Sequence, residues 1–218
     1  MFVGHFGVAL AAKRVAPRTS LPVLFLAAQF LDVLWPAFLL AGVEHARIVP
    51  GITAASPLDL YDFPFSHSLV AALGWAAGFG IAYFFFRRDA RVGWVLAALV
   101  LSHWALDAIV HRPDLPLFPG GRARFGCALW DSVAGTISVE GAIFLCGILL
   151  YHRATRAADR TGSYSFWSLM ALLGLLWLGN VFGPPPPSMM AVAATGLGGS
   201  LILFAWAWWI ERHRLSRS

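Results

Sequence analysis

Apolar runs of about 20 residues, the length that crosses a hydrocarbon core of roughly 30 Å, recur at residues 21 to 42, 65 to 86, 92 to 111, 164 to 182 and 188 to 210. A shorter run at 134 to 151 makes a sixth. A further apolar piece, MFVGHFGVALAA, is too short to span and reads as a half-buried or interfacial helix. Lys13 and Arg14 follow this piece instead of preceding it, and no small-residue cleavage site accompanies them, so it lacks the form of a signal peptide. The pattern predicts an all-α polytopic membrane protein of about six transmembrane helices plus the N-terminal half-buried helix. Residues 1–152 form the part that carries the chemistry, and 153–218 add two helices and a basic C-terminus to the same integrated membrane domain. GPPPP at 183 to 187 reads as a stiff hairpin between the last two spans, because proline lacks an N–H and the residue before each proline avoids the α region. Gly74 with Gly78, and Gly196 with Ser200, are small residues at helical spacing that would allow close helix contact.

Composition agrees with this pattern. Of 218 residues 59% are hydrophobic and 12% charged, against roughly 25% charged in a soluble domain, and the mean hydropathy is +0.70. The net charge of +5 does not indicate nucleic-acid binding, because the basic residues fall in short clusters between spans. Those clusters are Lys13, Arg14 and Arg18; Arg87, Arg88 and Arg91; Arg153, Arg156 and Arg160; Arg212, Arg214 and Arg217. All four can be cytoplasmic at once with six spans, which supports the short sixth run and puts the C-terminus inside, although Arg47, Arg112, Arg122 and Arg124 in the outward loops make the asymmetry imperfect. The loops at 43–64, 112–133 and 183–187 then face outward. Cys127 and Cys146 allow one disulfide at most, and Cys146 inside a span is most simply a small hydrophobe.

Against this background the ionisable residues inside apolar runs stand out, since each costs at least roughly 2.5 to 3.5 kcal/mol at a helix centre and so raises a functional hypothesis. Asp32 lies mid-span in QFLDVLWP. His103 and Asp107 share one helix face, and His111 continues that stripe by another four residues. Glu140 lies in TISVEGAIF, His67 opens the second long run, and His5 lies in the N-terminal helix. At about 1.5 Å per residue, His103 and Asp107 fall roughly 17 and 23 Å from the cytoplasmic start of their span, Asp32 roughly 17 Å up its own, and His5 some 12 Å above Lys13. One outer-leaflet site can therefore hold His5, Asp32, His67, His103 and Asp107. Three imidazoles and two carboxylates suit a divalent metal, zinc above all, whose charge offsets the burial of two aspartates. Taken singly, each has an ordinary alternative: an interhelical hydrogen bond for His103 with Asp107, a proton relay for Asp32, a cap-neighbour role for His67, and a surface pair with Arg112, Arg122 or Arg124 for Glu140.

The order of these residues also resembles a known family. His5 in an apolar N-terminal helix, DVLWP around Asp32, SHSL at 66 to 69, SHWALD at 102 to 107 and the proline-rich HRPDLPLFPG resemble the bacterial membrane-bound metal-dependent hydrolases of the LexA-regulated inner-membrane type. That family is distantly similar in its metal motif to zinc-dependent phospholipase C. The resemblance covers roughly residues 1 to 150. It implies that His5, Asp32, His67, His103 and Asp107 are the metal ligands and that the protein sits in the bacterial inner membrane. The expected activity is hydrolysis of an ester or phosphoester in a lipid or lipid-linked substrate, with Asp107 or Glu140 as general base. Arg112, Arg122 and Arg124 at the outer mouth are candidates for holding a phosphate. Two rivals remain: a proton- or metal-coupled transporter, which would need polar residues on the cytoplasmic side, where chiefly Gln29 is found; and a non-catalytic subunit of a larger membrane complex, or a homo-oligomer, with ten tryptophans and the last two spans as partner surface.

Overall fold

The computed structural model describes residues 1–217. Its long helices each begin where a short polar side chain can accept an otherwise free N–H. Ser68 Oγ accepts from Ala71 at the start of α5 (Leu69–Arg87), Asp89 Oδ1 from Val92 at the start of α6 (Ala90–Val110), and Ser132 Oγ from Gly135 at the start of α7 (Val133–Ala154). Asp159 caps α8 (Arg160–Phe182) and Ser188 caps α9 (Met189–Arg212) in the same way. These five helices are long and apolar enough to cross a membrane. Residues 134 to 151, the shortest predicted span, lie within a full helix of 22 residues.

The first predicted span is not one helix. It is a pair, α2 (Leu21–Ala28) and α3 (Phe30–Leu40), bent by 60° at Gln29. Counting the pair as one span gives six, and the chain is an all-α, multi-pass membrane protein. In front of it lies α1 (Val3–Ala12), which is not an interfacial helix on the bundle's rim: Val3, Phe6, Ala9 and Leu10 are buried in the main core. Its docking depends on glycine. A Cβ on Gly147 of α7 would lie 2.1 Å from the Gly7 carbonyl oxygen, and one on Gly7 would lie 2.6 Å from the Ile143 oxygen. Gly80 and Gly93 bring α5 and α6 together similarly, with a Gly80 Cβ only 2.7 Å from the Gly93 oxygen. The predicted pair Gly74 and Gly78 has no such role, for added Cβ atoms there meet nothing within 4 Å. Gly196 does make a close contact, against Pro36 Cγ at 3.1 Å.

Short antiparallel ladders close the two ends. At one end β1 (His45–Ile48) pairs with β2 (Leu58–Asp62), followed by α4 (Pro64–His67), and β3 (Leu115–Pro116) pairs with β4 (Arg124–Phe125). At the other, β5 (Thr155–Ala157) pairs with β6 (Arg214–Ser216). There His213 donates to Asp159 Oδ2 at 2.7 Å and holds that exposed carboxyl below its usual range. Lys13 lies buried at the same end, donating to Glu211 at 2.7 and 3.0 Å and to the Thr19 carbonyl at 2.8 Å. Glu211 also accepts from Leu21 N–H, so one carboxylate ties α1, α2 and α9.

Candidate metal centre

The break at Gln29 shapes the site. Between α2 and α3 the helical ladder lapses, and the Ala28 carbonyl accepts instead from His103 Nδ1 of α6 at 2.7 Å. A carbonyl cannot donate, so Nδ1 carries a proton, and the neutral ring that a metal requires has its lone pair on Nε2. That atom is fully buried, has no hydrogen-bond partner, and faces Asp32 Oδ1 at 3.6 Å and Asp107 Oδ2 at 3.2 Å. The break also brings Asp32 into the first turn of α3.

His67 is oriented by the same logic. The buried Glu44 carboxylate accepts from the Phe65 and Ser66 N–H groups, both at 2.7 Å, and from the Ser66 hydroxyl at 2.6 Å. With its proton given to Glu44, Ser66 Oγ can only accept from His67 Nδ1 at 2.7 Å. The lone pair of His67 Nε2 then lies 3.6 Å from Asp32 Oδ1 and 3.6 Å from Asp107 Oδ2. His111 gives its Nδ1 proton to Asp114 at 2.9 Å and turns Nε2 towards Asp107 Oδ2 at 4.0 Å. His5 stacks on His103 with ring centroids 3.7 Å apart and reaches the other oxygen of Asp107 from Nε2 at 3.1 Å. The Met1 amino group meets that same oxygen.

With both rings neutral, their lone pairs point at two carboxylates, an arrangement that a cation among them would stabilise. The three contacts at 3.6 Å are too long for hydrogen bonds, and the 3.2 Å contact of His103 with Asp107 lacks hydrogen-bond geometry. Four tetrahedral donors bound to one ion at roughly 2.0 to 2.2 Å lie roughly 3.3 to 3.6 Å from one another. The four histidine-to-carboxylate separations, from His67 Nε2 and His103 Nε2 to Asp32 Oδ1 and Asp107 Oδ2, run from 3.2 to 3.6 Å and have that spacing. The Nδ1 atoms are bonded to a carbonyl and to a carboxylate-backed hydroxyl, the outer partners that fix a ligating histidine. The residues fit a divalent metal. Donor atoms close enough to share one ion fall into two groups, Asp32 with His67 and His103, and His5 with His103 and Asp107, which have His103 in common.

The cluster opens into a cavity of about 590 Å³, with Asp32, His67, Asp107, His111 and Glu140 at its polar end. Glu140 of α7 is buried, and its Oε2 accepts from Phe2 N–H at 2.8 Å. The fold thus gathers His5, Asp32, His67, His103, Asp107 and Glu140 at one place. It does not bring the arginines there. Arg112 pairs with Asp59 and, at 3.0 Å, with Asp114, while Arg122 and Arg124 stand exposed on or beside β4, and none of the three lines the cavity. Sequence reasoning passed over Glu44, an acid in an outward loop that would ordinarily be solvated, and left His111 in its stripe without a role, although its i, i+4 spacing from Asp107 was the available signal. Comparison of the chain with protein-family models, with curated proteins and with solved structures finds no match.

Proposed function

We propose that this chain is a membrane-embedded metal-dependent hydrolase that cleaves an ester or phosphoester of a lipid or lipid-linked substrate at the periplasmic leaflet of the bacterial inner membrane, with zinc the ion its donors suit best. The observation that carries the reading is the donor set of two imidazole nitrogens, each 3.2 to 3.6 Å from two carboxylate oxygens, where the one other positive group, the Met1 ammonium, pairs with the far oxygen of Asp107. His67, His103, Asp32 and Asp107 would hold the ion, with His5 bracing Asp107 from its other oxygen. When bound, zinc supplies Lewis-acid polarisation of the scissile group and lowers the pKa of water towards about 7.

The remaining roles fall to the protein. Both oxygens of Asp107 are taken up by histidines, so it serves as holder. Glu140, anchored by the Phe2 N–H at the polar end of the cavity, is the residue placed to act as general base, accepting a proton from the attacking water and returning it to the leaving oxygen. A transporter would need a polar path onward, but Leu24, Phe25, Leu96, Leu99 and Val100 pack as buried core between the cluster and the basic end. With the basic clusters inside, the C-terminus is cytoplasmic.

Elemental analysis of detergent-purified protein, paired with a screen of lipid phosphoesters and esters, tests the proposal. The expected result is about one zinc per chain, lost in a folded His103→Ala, Asp107→Ala double variant, and turnover abolished by chelator and restored by zinc. Wild-type protein without metal even after zinc loading would overturn it.

A further inference from the structure

Besides Asp32, the first apolar run carries one other strongly polar side chain, Gln29, and the metal centre leaves it unused. Its backbone is committed on both sides of the bend: the Gln29 N–H donates to the Phe25 carbonyl at 2.9 Å, and the Gln29 carbonyl accepts from Val33 N–H at 2.9 Å. The first turn of α3 therefore starts at Gln29, and Asp32, three residues on, shares its face, with Cβ atoms roughly 5 to 6 Å apart. The Gln29 side chain thus stands next to a carboxylate of the donor set. The residue is only 4% exposed and lines the cavity. Its carboxamide makes no hydrogen bond among the described residues, yet it is not one of the polar atoms sealed away without a partner. The surface it keeps opens into the cavity.

An enclosed carboxamide with no partner gains from anything in the cavity that bonds to it. The cavity's own groups decide which half of the amide is in demand. Acceptors are plentiful, since Asp32, Asp107 and Glu140 all line the space. Side-chain donors are scarce. Thr53, Thr136, Thr195 and Ser200 give their hydroxyl protons to backbone carbonyls, the Trp35 and Trp177 indole nitrogens are sealed off, and the Met1 ammonium pairs with Asp107. Of the other lining donors Ser56 and Trp130 are half-buried and Asn180 is exposed, whereas Gln29 is enclosed.

We infer that Gln29 binds the substrate: its side-chain N–H donates to an anionic oxygen on the tetrahedral centre under attack, the non-bridging oxygen of a phosphoester or the oxygen on which an acyl ester develops charge. This deepens the proposed hydrolase and rests on that reading for the nature of the reaction. A neutral donor suits the position. A lysine or arginine here would compete with a metal ion for Asp32, whereas a carboxamide supplies the N–H without the charge.

Inorganic phosphate, which presents tetrahedral anionic oxygens and needs no turnover, is the probe. It is titrated calorimetrically into full-length detergent-purified protein, and zinc content is measured on the same samples. Gln29→Met keeps the length of the side chain and removes both polar atoms, so phosphate affinity should fall about 10- to 100-fold, the worth of a hydrogen bond to a charged group, with zinc content unchanged. Gln29→Glu, an acceptor of the same shape, should fall at least as far. Thr195→Val, which removes a lining hydroxyl already given to its own helix, should change nothing. Wild-type affinity in Gln29→Met overturns the inference, and wild-type affinity in Gln29→Glu does so by making the amide an acceptor. Zinc lost together with phosphate in Gln29→Met also overturns it, leaving Gln29 a structural part of the bend. Zinc-loaded wild type that binds no phosphate removes the subsite and leaves the metal centre standing. Protein that takes up no zinc but binds phosphate through Gln29 would keep the subsite and lose the hydrolase.

Discussion

At the scale of single residues, the site depends on which nitrogen of each histidine holds a proton, and neighbours outside the donor set decide that. Ser66 can accept from His67 only because Glu44 takes the serine's own proton. Ser66→Ala removes the acceptor and leaves the His67 Nδ1–H buried and unpaired, so zinc affinity should fall about 10- to 100-fold, as read by competition with a chromogenic chelator. Glu44→Gln retains shape but can donate to Ser66 and reverse the chain, and the same assay should place it near Ser66→Ala; an affinity unchanged in both would remove the orienting role. Glu140→Gln separates holding from catalysis. It should bind zinc as the wild type does and lose about 10²- to 10⁴-fold in turnover, the usual contribution of a positioned base, whereas Asp107→Asn should lose the metal as well. The donor types were legible from the sequence, because an Asp or His in an apolar run is conspicuous. Their partners were not: Glu44 lies 22 residues from Ser66 in a stretch that reads as solvated loop, and the Ala28 carbonyl becomes available only through a backbone break that no residue type announces.

At the scale of elements, hydropathy located the five long helices to within a few residues, since length and apolarity are what a bilayer selects. It could not show that residues 21 to 42 are bent by 60° at Gln29, because an apolar run stays apolar across a bend. It read α1 as half-buried or interfacial, for a run of that length cannot span, and although it put His5 in the site it could not show that α1 is buried against α7. This is possible only because two backbones touch. Gly147→Leu would put a Cβ 2.1 Å from the Gly7 carbonyl oxygen, an atom that cannot swing aside. α1 must then move off α7, at a cost of at least about 1 to 3 kcal/mol. The expected result is a lower thermal midpoint with helicity kept and His5 withdrawn, seen as weakened zinc binding in the same protein. Gly74→Leu, which meets open space, is the control and should change neither; equal losses in both variants would mean that the crossing does not hold His5 in place.

At the scale of the whole molecule, the bundle has a basic end drawn together by the β5 and β6 ladder and by Glu211, and a cluster end about one membrane thickness away, since the 21 residues of α6 rise roughly 30 Å from Ala90 to Val110. The chemistry and the orientation are therefore one question: whichever side the basic end faces, the cavity opens on the other. The charges predict that the basic end is cytoplasmic, and two positions can report it. Cys127 is exposed at the cluster end, and Ser216 is exposed on β6 at the basic end. In a Cys146→Ala background, a membrane-impermeant maleimide added to intact cells with a permeable outer membrane should label Cys127. With Cys127→Ser and Ser216→Cys it should label nothing until the inner membrane is opened. The inverse pattern would put the cavity on the cytoplasmic leaflet and redirect the search for substrate to lipids presented there. Labelling of both cysteines in intact cells would mean that the chain inserts in two orientations. The positive-inside rule tolerates that only when the loops carry balanced charge, and the four basic clusters, all on one end, are far from balance.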